Sequence, residues 1–146
     1  MERTDIDDLK ELLEKKGTRL YRGTGLTKEE LQKYRDLIGK TEKNIWGDEV
    51  PALMALTGFI STSLDRAQAE TFAWSNQDTG HEATLFEIMW KCEAGYYVMD
   101  MSAFPEEKEV LLYDGMKFEV MSVDQIKDKN GKTLNLVVLK RERHDR

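Results

Sequence analysis

Residues Phe104–Gly115 read FPEEKEVLLYDG. Glu106, Glu107 and Glu109 crowd against Lys108, and the chain then turns apolar at Val110, Leu111, Leu112 and Tyr113. The apolar run has strand composition, and Asp114-Gly115 after it is a turn signal. Strand composition resumes at Lys117–Val123 (KFEVMSV) and again at Leu134–Leu139 (LNLVVL), with the turn signal Asn130-Gly131 between them. On the N-terminal side, Ala83–Cys92 (ATLFEIMWKC) and Tyr96–Met99 (YYVM) read the same way. The second half of the chain is therefore a succession of strands separated by turns.

The first half is mixed. Thr4-Asp5 can cap a helix whose stripe is Ile6, Leu9, Leu12 and Leu13, with Gly17 as its end. Thr18–Tyr21 (TRLY) is short and strand-like. Thr27 and Glu30 form a capping box for a second helix, LTKEELQKYRDLIG. Lys40–Asp48 reads as a loop, and Val50–Thr57 (VPALMALT) as a short helix with Pro51 in its first turn. Gly58–Ser63 (GFISTS) reads as a strand, Leu64–Trp74 (LDRAQAETFAW) as a helix, and Ser75–Gly80 as a polar loop. Helices early and strands late, with few βαβ units, predict an α+β fold with mainly antiparallel pairing rather than a doubly wound sheet.

The totals narrow the function. A chain of 146 residues, 40% hydrophobic and 34% charged, predicts one domain (1–146) with enough apolar material for a core. Net charge is −6, from 28 acidic against 22 basic residues, which disfavours a broad nucleic-acid surface. The basic tail Lys140–Arg146 reads as a solvated end. Cys92 is the only cysteine, so no internal disulfide can form and a reducing compartment is expected. His81 and His144 are far apart, and no spacing suggests a metal site. No run approaches the ~20 apolar residues of a membrane span, and the acidic, amphipathic start does not read as a secretory signal.

Three short motifs carry chemistry. In Leu20-Tyr21-Arg22-Gly23, an arginine at a strand end can fork onto a phosphate or carboxylate, and the glycine permits close approach to the backbone. Alone, this is equally a solvated charge beside a turn. In Phe59-Ile60-Ser61-Thr62-Ser63, the two serines share one face and Thr62 takes the other. Alone, this is equally a Ser/Thr-rich edge strand. In the opening stretch, an extended chain sends Glu107 and Glu109 the same way, about 7 Å apart. Paired carboxylates repel, and they suit a site where a cation or a positively charged transition state lies between them. Alone, they are equally a solvated acidic turn.

Taken in order, Arg22-Gly23, Ser61-Thr62-Ser63 and Phe104-x-x-Glu107-x-Glu109 resemble the arginine–serine–glutamate signature of the mono-ADP-ribosyltransferases. The branch resembled is that of the binary clostridial toxins, the vertebrate ecto-transferases and related bacterial effectors. The likeness includes Phe72-Ala73 on the helix after the serines, and the run Glu109-Val110-Leu111-Leu112 followed by Asp114-Gly115-Met116-Lys117-Phe118, and it spans roughly Leu20 to Val123. It implies two mainly antiparallel β-sheets packed as a split sandwich with flanking helices. It also implies NAD as co-substrate with no metal, and a protein partner presenting arginine. A monomer that binds neither nucleic acid nor membrane is expected, acting in the cytoplasm or as a secreted effector.

By that resemblance, Arg22 would hold the phosphates of NAD, and Gly23 would set its backbone against the nicotinamide amide. Ser61 would orient the catalytic glutamate, with Thr62 and Ser63 in support. Phe72 would stack on nicotinamide, with Trp74 as the other candidate and core packing as the plain alternative. Glu109 would be catalytic: loss of nicotinamide leaves an oxocarbenium-like ribose, and a fixed anion beside it stabilises the developing charge. Glu107 would meet the acceptor guanidinium, which is protonated and a poor nucleophile until a carboxylate binds it and helps remove its proton. Phe104 would open the target-reading loop, with Glu106 and Lys108 solvated. Two further classes fit the same residues: an NAD glycohydrolase using water as acceptor, and a non-catalytic binding module.

Overall fold

The computed structural model describes residues 18–55, 60–63, 65–90, 101–104, 109–112, 117–128 and 130–141. The helix expected around Ile6–Leu13, the strand expected at Tyr96–Met99, and Glu106, Glu107 and Lys108 lie outside the described residues.

The elements follow one another as β1 (Thr18–Leu26), α1 (Lys28–Leu37), β2 (Thr41–Lys43), β3 (Glu49–Pro51), β4 (Leu53–Ala55), β5 (Ile60–Ser63), α2 (Arg66–Ser75), β6 (Glu82–Trp90), β7 (Met101–Phe104), β8 (Glu109–Leu112), β9 (Lys117–Lys127) and β10 (Thr133–Arg141). The main sheet is 8-stranded in the order β4-β9-β10-β6-β1-β5-β8-β7, and β2 and β3 form a separate 2-stranded ladder. Among the described residues every pairing is antiparallel except that of β10 with β6.

The sheet is nearly two sheets. β1 pairs with β6 along its whole length, from Thr18↔Trp90 to Leu26↔Glu82. On its other side, among the described residues, β1 meets β5 at Tyr21↔Ser63 alone. The half β4-β9-β10-β6-β1 and the half β5-β8-β7 hinge at that pair and part beyond it. This is the α+β, split-sheet architecture expected from the sequence.

Period-2 alternation along β1 and its neighbours divides the apolar residues between two faces. Leu20 and Leu26 join Phe86, Ile88, Phe118, Val120, Val137 and Leu139 on the face covered by Leu31 and Tyr34 of α1. Tyr34 meets Phe86 edge-on, with ring centroids 5.4 Å apart. On the opposite face Leu85 and Leu134 pack with Ala69 and Ala73 of α2, and Tyr21 and Trp74 lie against them. The two alanines let α2 lie close to the sheet, and Gly23 removes the last obstacle. A Cβ at Gly23 would overlap the Ala69 carbonyl oxygen and the Ala73 nitrogen.

Local signals account for the helix starts. Thr27 Oγ1 accepts from Glu30 N, and Glu30 Oε1 accepts from Thr27 N, each at 3.1 Å, completing the expected capping box. Asp65 Oδ1 accepts from Ala67 N at 3.0 Å and caps α2. At the other expected turn, Gly131 takes a left-handed φ of +80° between β9 and β10, while Asp128 Oδ1 accepts from Asn130 N and Lys132 N.

Two expectations are corrected. The described part of Val50–Thr57 is not a helix: Glu49–Pro51 and Leu53–Ala55 are strands, paired with Thr41–Lys43 and with Glu119–Lys117. An apolar run this short suits either state, and the exposed edge of β9 supplied the hydrogen-bond partner that decided it. Lys40–Asp48 is not all loop, since it contains β2. Met101–Phe104, which carried no strand expectation, forms β7 against β8. The strands flanking Asp114-Gly115 also do not pair with each other: β8 and β9 lie in opposite halves of the sheet.

Candidate active site

The hinge creates the site. Beyond Tyr21↔Ser63 the edges of β1 and β5 separate, and α2 roofs the gap on one side. The result is a pocket of about 390 Å³ lined by Arg22, Gly23 and Thr24 from β1, the three hydroxyl residues of β5, Gln68 and Phe72 from α2, and Asn76, which caps the end of α2.

Arg22 spans the opening. Its Nη1 donates to the Ser61 carbonyl oxygen at 3.0 Å, tying the two sheet halves together where their ladder stops. Arg22 stands opposite Phe86 in the β1–β6 register, half-buried. Burial pushes its guanidinium below its usual range, partly offset by Tyr34. Burial likewise raises the Tyr34 phenol, reinforced by Glu30 and opposed by Arg22. The arginine is thus a partly desolvated cation at the edge of a cavity, a state that favours an anionic ligand.

The β5 hydroxyls divide by burial. Thr62 and Ser63 are buried, and Ser61 is exposed to the pocket. Ser63 Oγ accepts from Asp65 N at 2.9 Å and donates to Gln68 Oε1 at 3.3 Å, linking the strand to the first turn of α2. The β5–β8 register sets Glu109 opposite Ser63 and Leu111 opposite Ser61. The β7–β8 register sets Phe104 opposite Glu109. The backbones of Glu109, Ser63 and Tyr21 therefore lie side by side across three neighbouring strands, next to Arg22.

The candidates for stacking separate cleanly. Phe72 is 51% exposed and lines the pocket, whereas Trp74 packs against the α2-side core with Lys132 Nζ 5.6 Å from its ring centroid. Gly23 also lines the pocket, but its closest constraint is helix packing, which the sequence reading did not anticipate. Sequence reasoning missed Gln68 and Asn76. The signal was present: both stand four residues from Phe72, so a helix that turns Phe72 to the pocket turns them there too. Among the described residues no group of three or more His, Cys, Asp or Glu side chains converges to hold a metal ion.

A cavity with a cationic fork, hydroxyls and an open aromatic face suits a ligand that is both anionic and aromatic. The sequence carries the matching identity. The family model described as ADP-ribosyltransferase exoenzyme matches residues 3–141. The chain belongs to this family. No curated protein matches it closely enough to be compared. Among solved structures, the exoenzyme chain is similar to the Vis toxin, an ADP-ribosyltransferase from Vibrio splendidus, at 18% identity and TM-score 0.51, covering 95% of this chain and 56% of that one. The Vis complex with agmatine gives 18% identity and TM-score 0.52, with 95% and 57% covered. ADP-ribosyltransferase HopU1 of Pseudomonas syringae pv. Tomato DC3000 gives 16% identity and TM-score 0.50, with 84% and 44% covered. These likenesses support the fold, and the chain spans roughly half the length of those proteins.

Proposed function

We propose that residues 1–146 form one catalytic domain of an NAD-dependent mono-ADP-ribosyltransferase of the arginine–serine–glutamate class that modifies arginine side chains of proteins. The observation that carries this reading is the meeting of the three motifs at the sheet hinge. Arg22 donates to Ser61 across it, and Glu109 stands in register with Ser63 beside it. Arg22 of the first motif and the three hydroxyl residues of the second, some forty positions apart in the chain, line one pocket in a member of a transferase family.

In this reading Arg22 would bind the NAD diphosphate through its remaining guanidinium N–H groups, a charge-assisted contact suited to phosphate oxygens. Phe72 would lie against the nicotinamide ring, and the Gly23 backbone would line that subsite. Ser61 would orient the Glu109 carboxylate, with Thr62 and Ser63 in support. Glu109 would stabilise positive charge on the ribose as the nicotinamide bond breaks. Glu107 would bind and help deprotonate the acceptor guanidinium, with Phe104 opening the same target-facing loop. Support for a guanidine acceptor comes from Glu107 and from the agmatine complex of the similar Vis toxin.

The test is incubation with NAD and either agmatine or polyarginine, followed by mass spectrometry. The expected result is an ADP-ribose–guanidine adduct. Consumption of NAD without any adduct rules out arginine transfer and leaves hydrolysis.

A further inference from the structure

Gln68 stands on α2 one turn before Phe72, at the wall of the pocket, and none of the three motifs includes it. Its amide orientation follows from the hydrogen bonds around it. The Asp65 backbone N–H can only donate, and it donates to Ser63 Oγ at 2.9 Å. The serine proton is directed to the Gln68 carboxamide oxygen, Oε1, at 3.3 Å. Gln68 Nε2 is left with two N–H groups and has no hydrogen-bond partner among the described residues.

The same logic fixes the other end of the stripe. Asn76 Nδ2 donates to the Phe72 carbonyl oxygen at 2.8 Å, and its Oδ1 has no hydrogen-bond partner among the described residues. The exposed Phe72 ring thus lies between a donor one turn above and an acceptor one turn below. Each is about 6 Å from Phe72 along the helix axis, so no single carboxamide spans both. A six-membered aromatic ring seated on Phe72 places a substituent within reach of one of them. Gln68 is the one tied to Ser63, whose backbone lies beside Glu109.

Resting on the reading of this pocket as an NAD site, we propose that Gln68 is a substrate-contacting specificity residue whose Nε2 donates to the carboxamide oxygen of the nicotinamide ring. The Ser63 hydroxyl locks Gln68 in this donor orientation. The residue thereby selects a 3-carboxamide over pyridine rings that lack an acceptor.

Gln68→Glu tests this directly. The carboxylate still accepts from Ser63, so the link between β5 and α2 survives, but the donor is gone. Gln68→Met is the uncharged control that also lacks the donor. Calorimetry is run with NAD, nicotinamide mononucleotide and ADP-ribose. Both variants are expected to weaken the two nicotinamide ligands by about tenfold and leave ADP-ribose unchanged, with melting temperature held in Gln68→Glu. Equal affinity of wild type and both variants for NAD overturns the proposal, as does an equal loss for ADP-ribose. Wild-type protein that binds none of the three ligands overturns the NAD-site reading itself and this inference with it.

Discussion

Arg22 Nη1 donates to the carbonyl oxygen of Ser61 at 3.0 Å, and this bond closes the point where the β1–β5 ladder, reduced to Tyr21↔Ser63, gives out. One side chain therefore does two jobs: it holds the sheet halves in register and presents a cation to the cavity. Arg22→Lys keeps the charge but loses the fork that lets both be done together. NAD affinity is expected to fall by about tenfold or more, equivalent to at least about 1.4 kcal/mol. The loss of stability should stay near 1 kcal/mol, the worth of one hydrogen bond. Calorimetry and thermal melts separate the two effects, and unchanged NAD affinity would remove Arg22 from the ligand site.

Gly23 has no room for a methyl group beneath Ala69 and Ala73. Both potential clashes are with helix backbone, which cannot rotate away as a side chain can. Gly23→Ala should push α2 off the sheet, costing about 1–3 kcal/mol of stability. Because Phe72 and Gln68 move with α2, NAD binding should weaken in the same variant. A melting temperature equal to wild type would show that the helix can shift without cost.

Phe72 and Trp74 make opposite predictions. Phe72 is 51% exposed, so Phe72→Ala should cost under about 1 kcal/mol of stability while reducing NAD affinity clearly. Trp74 packs in the core against α2's own sheet face. Trp74→Ala should lose about 2–4 kcal/mol and change NAD affinity little in the folded fraction. Reversal of this pattern would exchange their roles.

The two motif glutamates are separated by reaction products. Glu109→Gln should abolish both transfer to agmatine and hydrolysis of NAD, because both need stabilisation of the ribose cation. Glu107→Gln should retain hydrolysis and lose transfer. Chromatographic quantification of nicotinamide and of the guanidine adduct reads both. Wild-type-like transfer by Glu107→Gln would contradict the acceptor role.

Tyr34 sets an alkaline limit. Its phenol, ordinarily at 10.0, is raised in the folded protein chiefly by burial. Between the unfolded and folded values the unfolded chain has lost the proton and the folded protein keeps it, so stability falls as pH rises. The contribution is complete below 10.0 and lost as pH climbs through the raised value. Melting temperature should therefore drop above pH 10.0, and Tyr34→Phe should flatten that drop. An unchanged slope in the variant would assign the loss to other groups.

Much of the fold was legible because it depends on neighbours in sequence. Thr27 with Glu30, and Asp65 before Ala67, cap helices through bonds spanning two or three residues. The β6, β9 and β10 runs are long enough for composition to identify them. The short strands β2, β3, β4 and β7 were not legible, since segments of three or four residues have no stability without a partner edge. The Val50–Ala55 run went to the sheet for that reason.

The site divides the same way. Arg22, Ser61 and Glu109 could be picked out by the order of three short motifs and its resemblance to a family signature, since each motif alone reads as ordinary surface. That Ser63 rather than Ser61 stands opposite Glu109, that Phe72 rather than Trp74 opens to the pocket, and that Gln68 offers a donor there all depend on register and helix rotation. The hinge itself belongs to the tertiary structure alone. How far two strands pair is set by what packs on their faces, and here α1 and α2 pack on opposite faces of the β1 half. Local sequence determines which groups are available. Long-range packing decides which of them share a cavity, since each such contact forms only once distant segments have already been brought together.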